Sequence, residues 1–463
     1  MRSLFKTAVV LLLSAGTAKS LYFTETRIDT AQGGWGFMVV SFHPAGDIDG
    51  DGDKDIYCNT WFLSPPTLRW YRNQGSGNFT KEYITGIGMY GYALRDFTGD
   101  NRPDLITLDF VGNLNYYNVF FYRNTGGSFS SGTNIDPGAA GPNHCDAADA
   151  DGDGDLDLVV SHRITEFAAY RNDGAGNFTK VSVYLFYAYG ENEGVCWVDV
   201  EGDGDKDVVG CHWGAGWVRW FRNNNWSFSL GGAVTSSISY PHGLHGADFD
   251  RDGDQDILVV SGASNDNGGG DARIYLNNGS GSFTELYVGP VDRGGAGMLY
   301  DVDVDGDMDV VVSGSSTMVW PTSGEIAWFE NTGSGFVKHN LTSEASYGVW
   351  VGDIDEDGCP DIMGNHYTGG VSYLSIFFGQ DCALGADETT GETSNSLRVS
   401  GNTALIRLVR PGRFSVFDAA GRKIKEQSLE RGQHSLVWDA GLTRGVYLLV
   451  LESGDRISVS AIK

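Results

Sequence analysis

Nowhere does the sequence carry the run of about 20 apolar residues that a membrane-crossing helix needs. The hydrophobic stretch that stands out, Ala8–Leu13, is far too short. Basic residues are scarce: 32 Lys and Arg face 60 Asp and Glu, and the formal net charge of -28 argues against nucleic acid or anionic membrane as a partner. Cysteine is scarce as well, and Cys58, Cys145, Cys196, Cys211, Cys359 and Cys382 fit no zinc spacing. Cys196 and Cys211 lie almost symmetrically about one turn, so a bridge across a hairpin and a pair of free buried thiols both stay open. H-E-x-x-H and G-x-S-x-G are missing too, which removes the motif-level case for a zinc protease or a serine hydrolase.

What is present points to strands. With 66 glycines, 12% aromatics and 41% hydrophobic residues in 463, the chain suits many short strands and tight turns, and it is long enough for one large domain and one small one. Residues 1–20, with Arg2 and Lys6 ahead of the apolar run and Ala18-Lys19-Ser20 as a small-x-small site, read as a secretory signal peptide. The expected destination is extracellular or the cell surface, with the mature chain starting near Leu21.

A nine-residue acidic cassette then recurs seven times, at intervals of about 50 residues, the period of four-stranded propeller blades. The cassettes start at Asp47, Asp96, Asp149, Asp199, Asp248, Asp301 and Asp353. Each joins two apolar β-rich runs, such as GVCWV before DVEGDGDKD and KDVVG at its end. Each of the first six units continues to an aromatic strand that ends in Asn and an Asn/Gly turn, as in WYRNQGSGNF, AYRNDGAGNF and WFRNNNWSF, the mark of a hairpin. The seventh unit lacks that hairpin, whereas Tyr22–Ile28 is an orphan copy of the strand that follows it elsewhere. This strand is therefore expected to complete the seventh blade and close the ring. The expected fold is all-β: a seven-bladed β-propeller over residues 21–381, a linker over 382–395 and a small immunoglobulin-like β-sandwich over 396–463.

The cassette has the donor pattern of a hard-cation site: Asp at position one, an oxygen side chain at three, Asp at five, Gly or Asn at six and Asp at nine. The candidate ligands are Asp47, Asp49, Asp51, Asp53 and Asp55 in the first loop; Asp96, Thr98, Asp100 and Asp104 in the second; and Asp149, Asp151, Asp153, Asp155 and Asp157 in the third. The fourth offers Asp199, Glu201, Asp203, Asp205 and Asp207, and the fifth Asp248, Asp250, Asp252, Asp254 and Asp256. Asp301, Asp303, Asp305, Asp307 and Asp309 make the sixth, and Asp353, Asp355, Asp357 and Asp361 the seventh. These loops hold more than half of the acidic residues, a crowding that a bound cation relieves. Up to seven structural Ca2+ ions are expected. An EF-hand is excluded, because position twelve is never Glu.

D-x-D-G-D-G-x-x-D between strands at this period resembles the FG-GAP/VCBS repeat of integrin α-subunit propellers and many secreted bacterial proteins. That resemblance implies adhesion, glycan binding or polysaccharide degradation. Residues 396–463, with RFSVFDAAGRKI, HSLVWDAG, GVYLLVLESG and a terminal basic residue, resemble the C-terminal sorting domain of type IX secretion cargo, which implies secretion machinery as a partner.

The face opposite the cassettes collects the other suggestive side chains: His144, Glu193, His242 and His245 near strand entrances, and Trp61, His162, His212, Trp213, Trp320, His366 and Tyr367 near strand exits. Aromatics beside imidazoles suit sugar stacking, and wedging between blades is the plain alternative. Three histidines near the axis, such as His144, His212 and His242, would suit a transition metal. The expected activity is a monomeric binding or adhesion module for an extracellular glycan or protein. A polysaccharide lyase or hydrolase using the second face is the alternative, and a structural surface-layer component a third reading.

Overall fold

The computed structural model describes residues 21–32, 45–380 apart from 60–67, 76, 85–90, 111–116, 140, 164, 186–191, 263–268 and 316–322, residue 382, and strands between 396 and 461. All regular structure among the described residues is β. Seven four-stranded antiparallel sheets follow one another, each ordered from the first strand inside to the fourth outside. Their first strands are Ala45–Gly46, Gly91–Arg95, Pro142–Ala148, Asn192–Val198, Pro241–Ala247, Gly294–Tyr300 and Val349–Gly352. They pack side by side from blade to blade around an axis. The expected seven-bladed propeller is the fold.

Burial follows from that radial order. Second strands such as Asp157–His162, Asp207–His212 and Asp256–Ser261 are buried at every residue, because both faces of the sheet are covered by neighbouring blades. Their near-continuous apolar runs reflect this. The outermost strand Phe178–Leu185 is mostly exposed or half-buried. Between blades five and six, Leu258, Val260, Ile274, Val310, Val312 and Phe329 form one closed cluster. Burying each such side chain fully is worth about 1.5–3 kcal/mol.

The seventh blade is built from both ends of the domain. Val349–Gly352, Asp361–Thr368 and Val371–Gln380 pair in order, and Tyr22–Gln32 adds antiparallel to the last, from Tyr22 opposite Gln380 to Gln32 opposite Val371. The orphan strand therefore closes the ring as expected. Its register shifts between Arg27 and Asp29. Asp29, 12% exposed, accepts bonds from Arg69 at 2.6 Å, the Tyr71 hydroxyl at 2.8 Å and Lys81 at 2.7 Å, all on blade one. Although burial opposes its charge, Lys81, Tyr71 and Arg69 hold its carboxyl below the usual carboxylate range.

Cys359 and Cys382 form a disulfide, which ties Cys382, read from sequence as the first linker residue, back to the seventh loop. Cys58, Cys145, Cys196 and Cys211 are free and buried, so of the two arrangements left open for Cys196 and Cys211 the structure has the thiols. The chain divides into a unit holding Lys19–Gly385 and one holding Ala386–Lys463. The latter carries a three-stranded antiparallel sheet, Ser396–Ser400, Thr403–Leu408 and Gly432–Val437. It also carries a four-stranded sheet, ordered Lys423–Leu429, Gly412–Phe417, Gly445–Leu451 and Arg456–Ala461.

Removing Asp29 leaves Arg69 and Lys81 charged at the closing seam. We expect Asp29→Ala to lower the unfolding free energy by about 3 kcal/mol in urea titration; an unchanged midpoint would show that the seam does not hold the ring.

Candidate metal centre

Each cassette leaves the first strand of a blade, turns, and enters the second strand at its ninth residue. That residue, Asp55, Asp104, Asp157, Asp207, Asp256, Asp309 or Asp361, is at most 1% exposed. In the third blade Oδ2 of Asp157 accepts the N–H of Ala150 at position two (3.0 Å), and Oδ1 accepts the N–H of Asn172 at the end of the third strand (2.8 Å). The same two bonds recur in all seven blades. One carboxylate thus closes the loop and pins it to the third strand.

The asparagine that the sequence marked only as a hairpin signal has a larger role. Asn172 Nδ2 donates to the carbonyl of Leu156 in its own loop (3.0 Å) and to that of Phe97 in the preceding blade (2.7 Å). Asn73, Asn124 and Asn277 reach back in the same way to Ile354, Ile48 and Val200. In the seventh blade the position is Gly379, where a Cβ would collide with the Pro360 carbonyl.

Within the loop, Asp149 accepts the N–H of Gly152 on Oδ1 and that of Gly154 on Oδ2, and the Asp151 and Asp153 carboxylates accept the N–H two residues on. These bonds need a left-handed backbone at position six. All six glycines there have φ between 91° and 105°, and Asn101 has 62°. Position four is left-handed too, a requirement not read from sequence, and it is met by Arg251, Val304 and Glu356 in the last three loops at φ 60–62°.

The curled backbone gathers carboxylates. In five loops three ligand oxygens lie within 4.8 Å of one another: Asp47, Asp49 and Asp55; Asp149, Asp151 and Asp157; Asp248, Asp250 and Asp252; Asp301, Asp303 and Asp309; Asp353, Asp355 and Asp357. The second and fourth loops form no such trio among the described residues. Position seven joins none: the carboxylates of Asp155 and Asp254 lie where a Cβ on the hairpin glycines Gly174 and Gly279 would stand. Burial, and after it neighbouring carboxylates, pushes the ninth residues up, to about 7 for Asp157, Asp207 and Asp361 and about 8 for Asp309, against the two backbone N–H bonds.

A family profile described as the FG-GAP-like repeat matches residues 47–107, 96–160, 165–210, 202–259, 248–312 and 301–364, more than half of the chain. The chain belongs to the FG-GAP-like repeat family. Five of the six matches run from one acidic loop through the second strand that follows the next, so the family's unit is the loop-to-loop segment and the blade is offset from it. No curated protein matches the chain. Among solved structures, this FG-GAP propeller is similar to BBS1N, crystallised with ARL6DN and soaked with lead, at 13% identity and TM-score 0.47 over 77% of this chain and 96% of that one. It is also similar to Sqt1 of Saccharomyces cerevisiae, at 10% identity and TM-score 0.46 over 77% and 98%.

On the opposite face of the FG-GAP ring the picture is plainer. Asn143, Glu193 and His242 meet from the inner strands of three consecutive blades, with Asn143 Nδ2 2.5 Å and His242 Nδ1 4.0 Å from Glu193 Oε2. Half-buried Trp213 packs on Tyr240, ring centroids 4.4 Å apart, and on His242. The remaining histidines are wedges. His245 Nδ1 accepts the N–H of Leu299, His162 Nε2 meets the Tyr170 hydroxyl, and His212 packs on Trp217. Burial pushes His144, His162 and His245 down to about 4 and His242 to about 3, which makes them neutral near pH 7. No trio of metal-ligating side chains forms on this face among the described residues, which removes the grouping of His144, His212 and His242. Trp61 and Trp320 lie outside the described residues.

His366, 1% exposed, stands between Glu344 on Nδ1 and Ser375 on Nε2 (2.8 Å), an order that mimics a serine nucleophile with its base. Ser375, however, is fully buried and donates to Glu25 of the closing strand (2.9 Å). A hydroxyl sealed from solvent and already bonded to a carboxylate has no access to substrate; the network stitches the N-terminal strand to its blade.

Asn172→Ala removes two donors and strands two carbonyls at a blade junction. We expect a loss of about 2–3 kcal/mol in chemical denaturation; a loss below about 0.5 kcal/mol would mean that these bonds are dispensable.

Proposed function

We propose that this chain is an exported, calcium-binding propeller that presents an extracellular glycan or protein partner with a rigid ring. The observation that carries the cation reading is the gathering of three carboxylates in each of five loops, with a buried first-aspartate oxygen lacking a hydrogen-bond partner in three of them, Oδ1 of Asp248, Asp301 and Asp353. Hard oxygen donors at this density fit Ca2+, held by positions one, three and five or nine, and the ion would offset the mutual repulsion of the loop. Its role is to stiffen the loops. Export is supported by the basic, apolar and small-residue order of residues 1–20 and by the strand pattern of the C-terminal unit, which we read as an immunoglobulin-like sandwich serving type IX sorting. The partner site is assigned to the face opposite the loops, where Trp213, Tyr240, His242 and Glu193 gather.

The ninth aspartates have folded-state values above the 3.8 of the free side chain. In the metal-free fold, the stability they gain by holding protons is full below about 4 and is lost as pH rises through about 6–8. Protons and Ca2+ compete for the same oxygens. Excess chelator should therefore lower the melting temperature by at least about 5 °C at pH 8 and by much less at pH 5. Equal curves with and without chelator at pH 8 would sink the cation reading. A glycan array probed with the Ca2+-loaded protein should show binding that weakens in Trp213→Ala. No signal on glycans, with a protein captured through the same face instead, would turn the partner from sugar to polypeptide.

A further inference from the structure

The seven loops are not equivalent, and two unrelated features divide them at the same place. One is the residue just before the third-strand asparagine, or before Gly379 in blade seven. It is Arg72, Arg123, Arg171 and Arg222 in blades one to four, but Leu276, Glu330 and Phe378 in blades five to seven. Each arginine lies on an acidic group of its own loop: Arg72 on Asp49 at 2.8 Å, Arg171 on Asp151 at 2.7 Å and Arg222 on Glu201 at 2.5 Å. Asp100 takes Arg123 at 3.4 Å and Arg102 at 2.9 Å. In loops five to seven no arginine or lysine pairs with a loop carboxylate among the described residues. Glu330 instead places a carboxylate at that position, and it pairs with His339 at 2.7 Å. The cations nearest these loops form no direct ion pair: Lys54 donates to the main-chain carbonyl of Asp353, and Arg251 stands near Gly306, where its charge favours the ionised Asp301 and Asp307 from a distance.

The other feature is the first aspartate. In loops one, three and four, Oδ1 of Asp47, Asp149 and Asp199 accepts the N–H of Gly50, Gly152 and Gly202 at 2.7–2.9 Å. In loop two, Oδ1 of Asp96 accepts from Thr98 and Asp100. In loops five, six and seven, where position four bears a side chain at positive φ, Oδ1 of Asp248, Asp301 and Asp353 is buried without a well-formed hydrogen bond, although the N–H groups of Val304 and Gly306 still act on the Asp301 carboxylate. A buried carboxylate oxygen left unpaired is costly unless something positive reaches it.

We propose that the loops at Asp248, Asp301 and Asp353 are the tight divalent-cation sites of the ring, while in blades one to four an arginine acts as a built-in counter-cation that makes metal there weak. This rests on the cation reading above. A metal entering an arginine-paired loop must break an ion pair, whereas in the last three loops it meets an unpaired oxygen and no direct ion pair. The arginines are 34–50% exposed, so they weaken binding without forbidding it.

The test is calorimetric titration of the chelator-stripped full chain with CaCl2. Three ions should bind about tenfold or more tightly than the rest. Asp301→Asn should remove one tight ion, and Asp149→Asn should leave the tight count intact. Two variants that keep every carboxylate give the converse check: Leu276→Arg should remove one tight site and Arg171→Leu should add one. Circular dichroism melts verify that each variant is folded. Seven equivalent sites, or loss of a tight ion in Asp149→Asn, would overturn the division while leaving the loops as cation sites. No calcium binding at all would overturn both readings.

Discussion

The propeller depends on a buried carboxylate that accepts two backbone N–H groups, one from its own loop and one from the end of the third strand. Because both oxygens are committed to backbone, the ninth aspartate fixes where the loop closes and how the second and third strands align. The asparagine donating alongside it, Asn172 in blade three, carries the same network to a carbonyl of the preceding blade. Loop, blade and blade junction therefore share one set of hydrogen bonds in a low-dielectric interior, where such bonds reinforce one another.

That arrangement concentrates negative charge. Carboxylates at positions one, three, five and nine are drawn together by the same turn that satisfies the backbone, and burial raises the ninth well above its ordinary range. The ring meets the repulsion in two ways. Blades one to four bring in an arginine from the third strand, and blades five to seven keep an unpaired buried carboxylate oxygen, to which we assign an ion. Left-handed, side-chain-bearing residues at position four of the last three loops belong to the second solution.

Closure is a separate matter, governed by the edges. A propeller of fused blades has one seam, and here the N-terminal strand supplies the missing edge of blade seven. Asp29 then bonds Arg69, Tyr71 and Lys81 across to blade one, and Glu25 reaches Ser375 and His366 within blade seven. Of the histidines that sequence alone offered as chemistry on the second face, His366 is consumed by this stitching and His162, His212 and His245 by contacts within and between blades. The cluster of Asn143, Glu193, His242 and Trp213 is the exception.

The sequence by itself determined the blade count, the strand-loop-strand unit, the glycine requirement at position six and the role of Tyr22–Ile28, since each is a local pattern repeated at one spacing or a recognisable copy of it. The strands of residues 396–463 were legible in the same way. Tertiary structure alone decided that the third-strand asparagine ties neighbouring blades and that Cys359 pairs with Cys382. It also decided that Ser375 is sealed from solvent, and that arginine pairs with four loops while the first aspartate of the other three keeps a buried oxygen unpaired. Those outcomes join residues from different strands or from successive blades about 50 positions apart. A repeat states which residue types recur, but which side chain meets which depends on how the closed ring packs one sheet against the next.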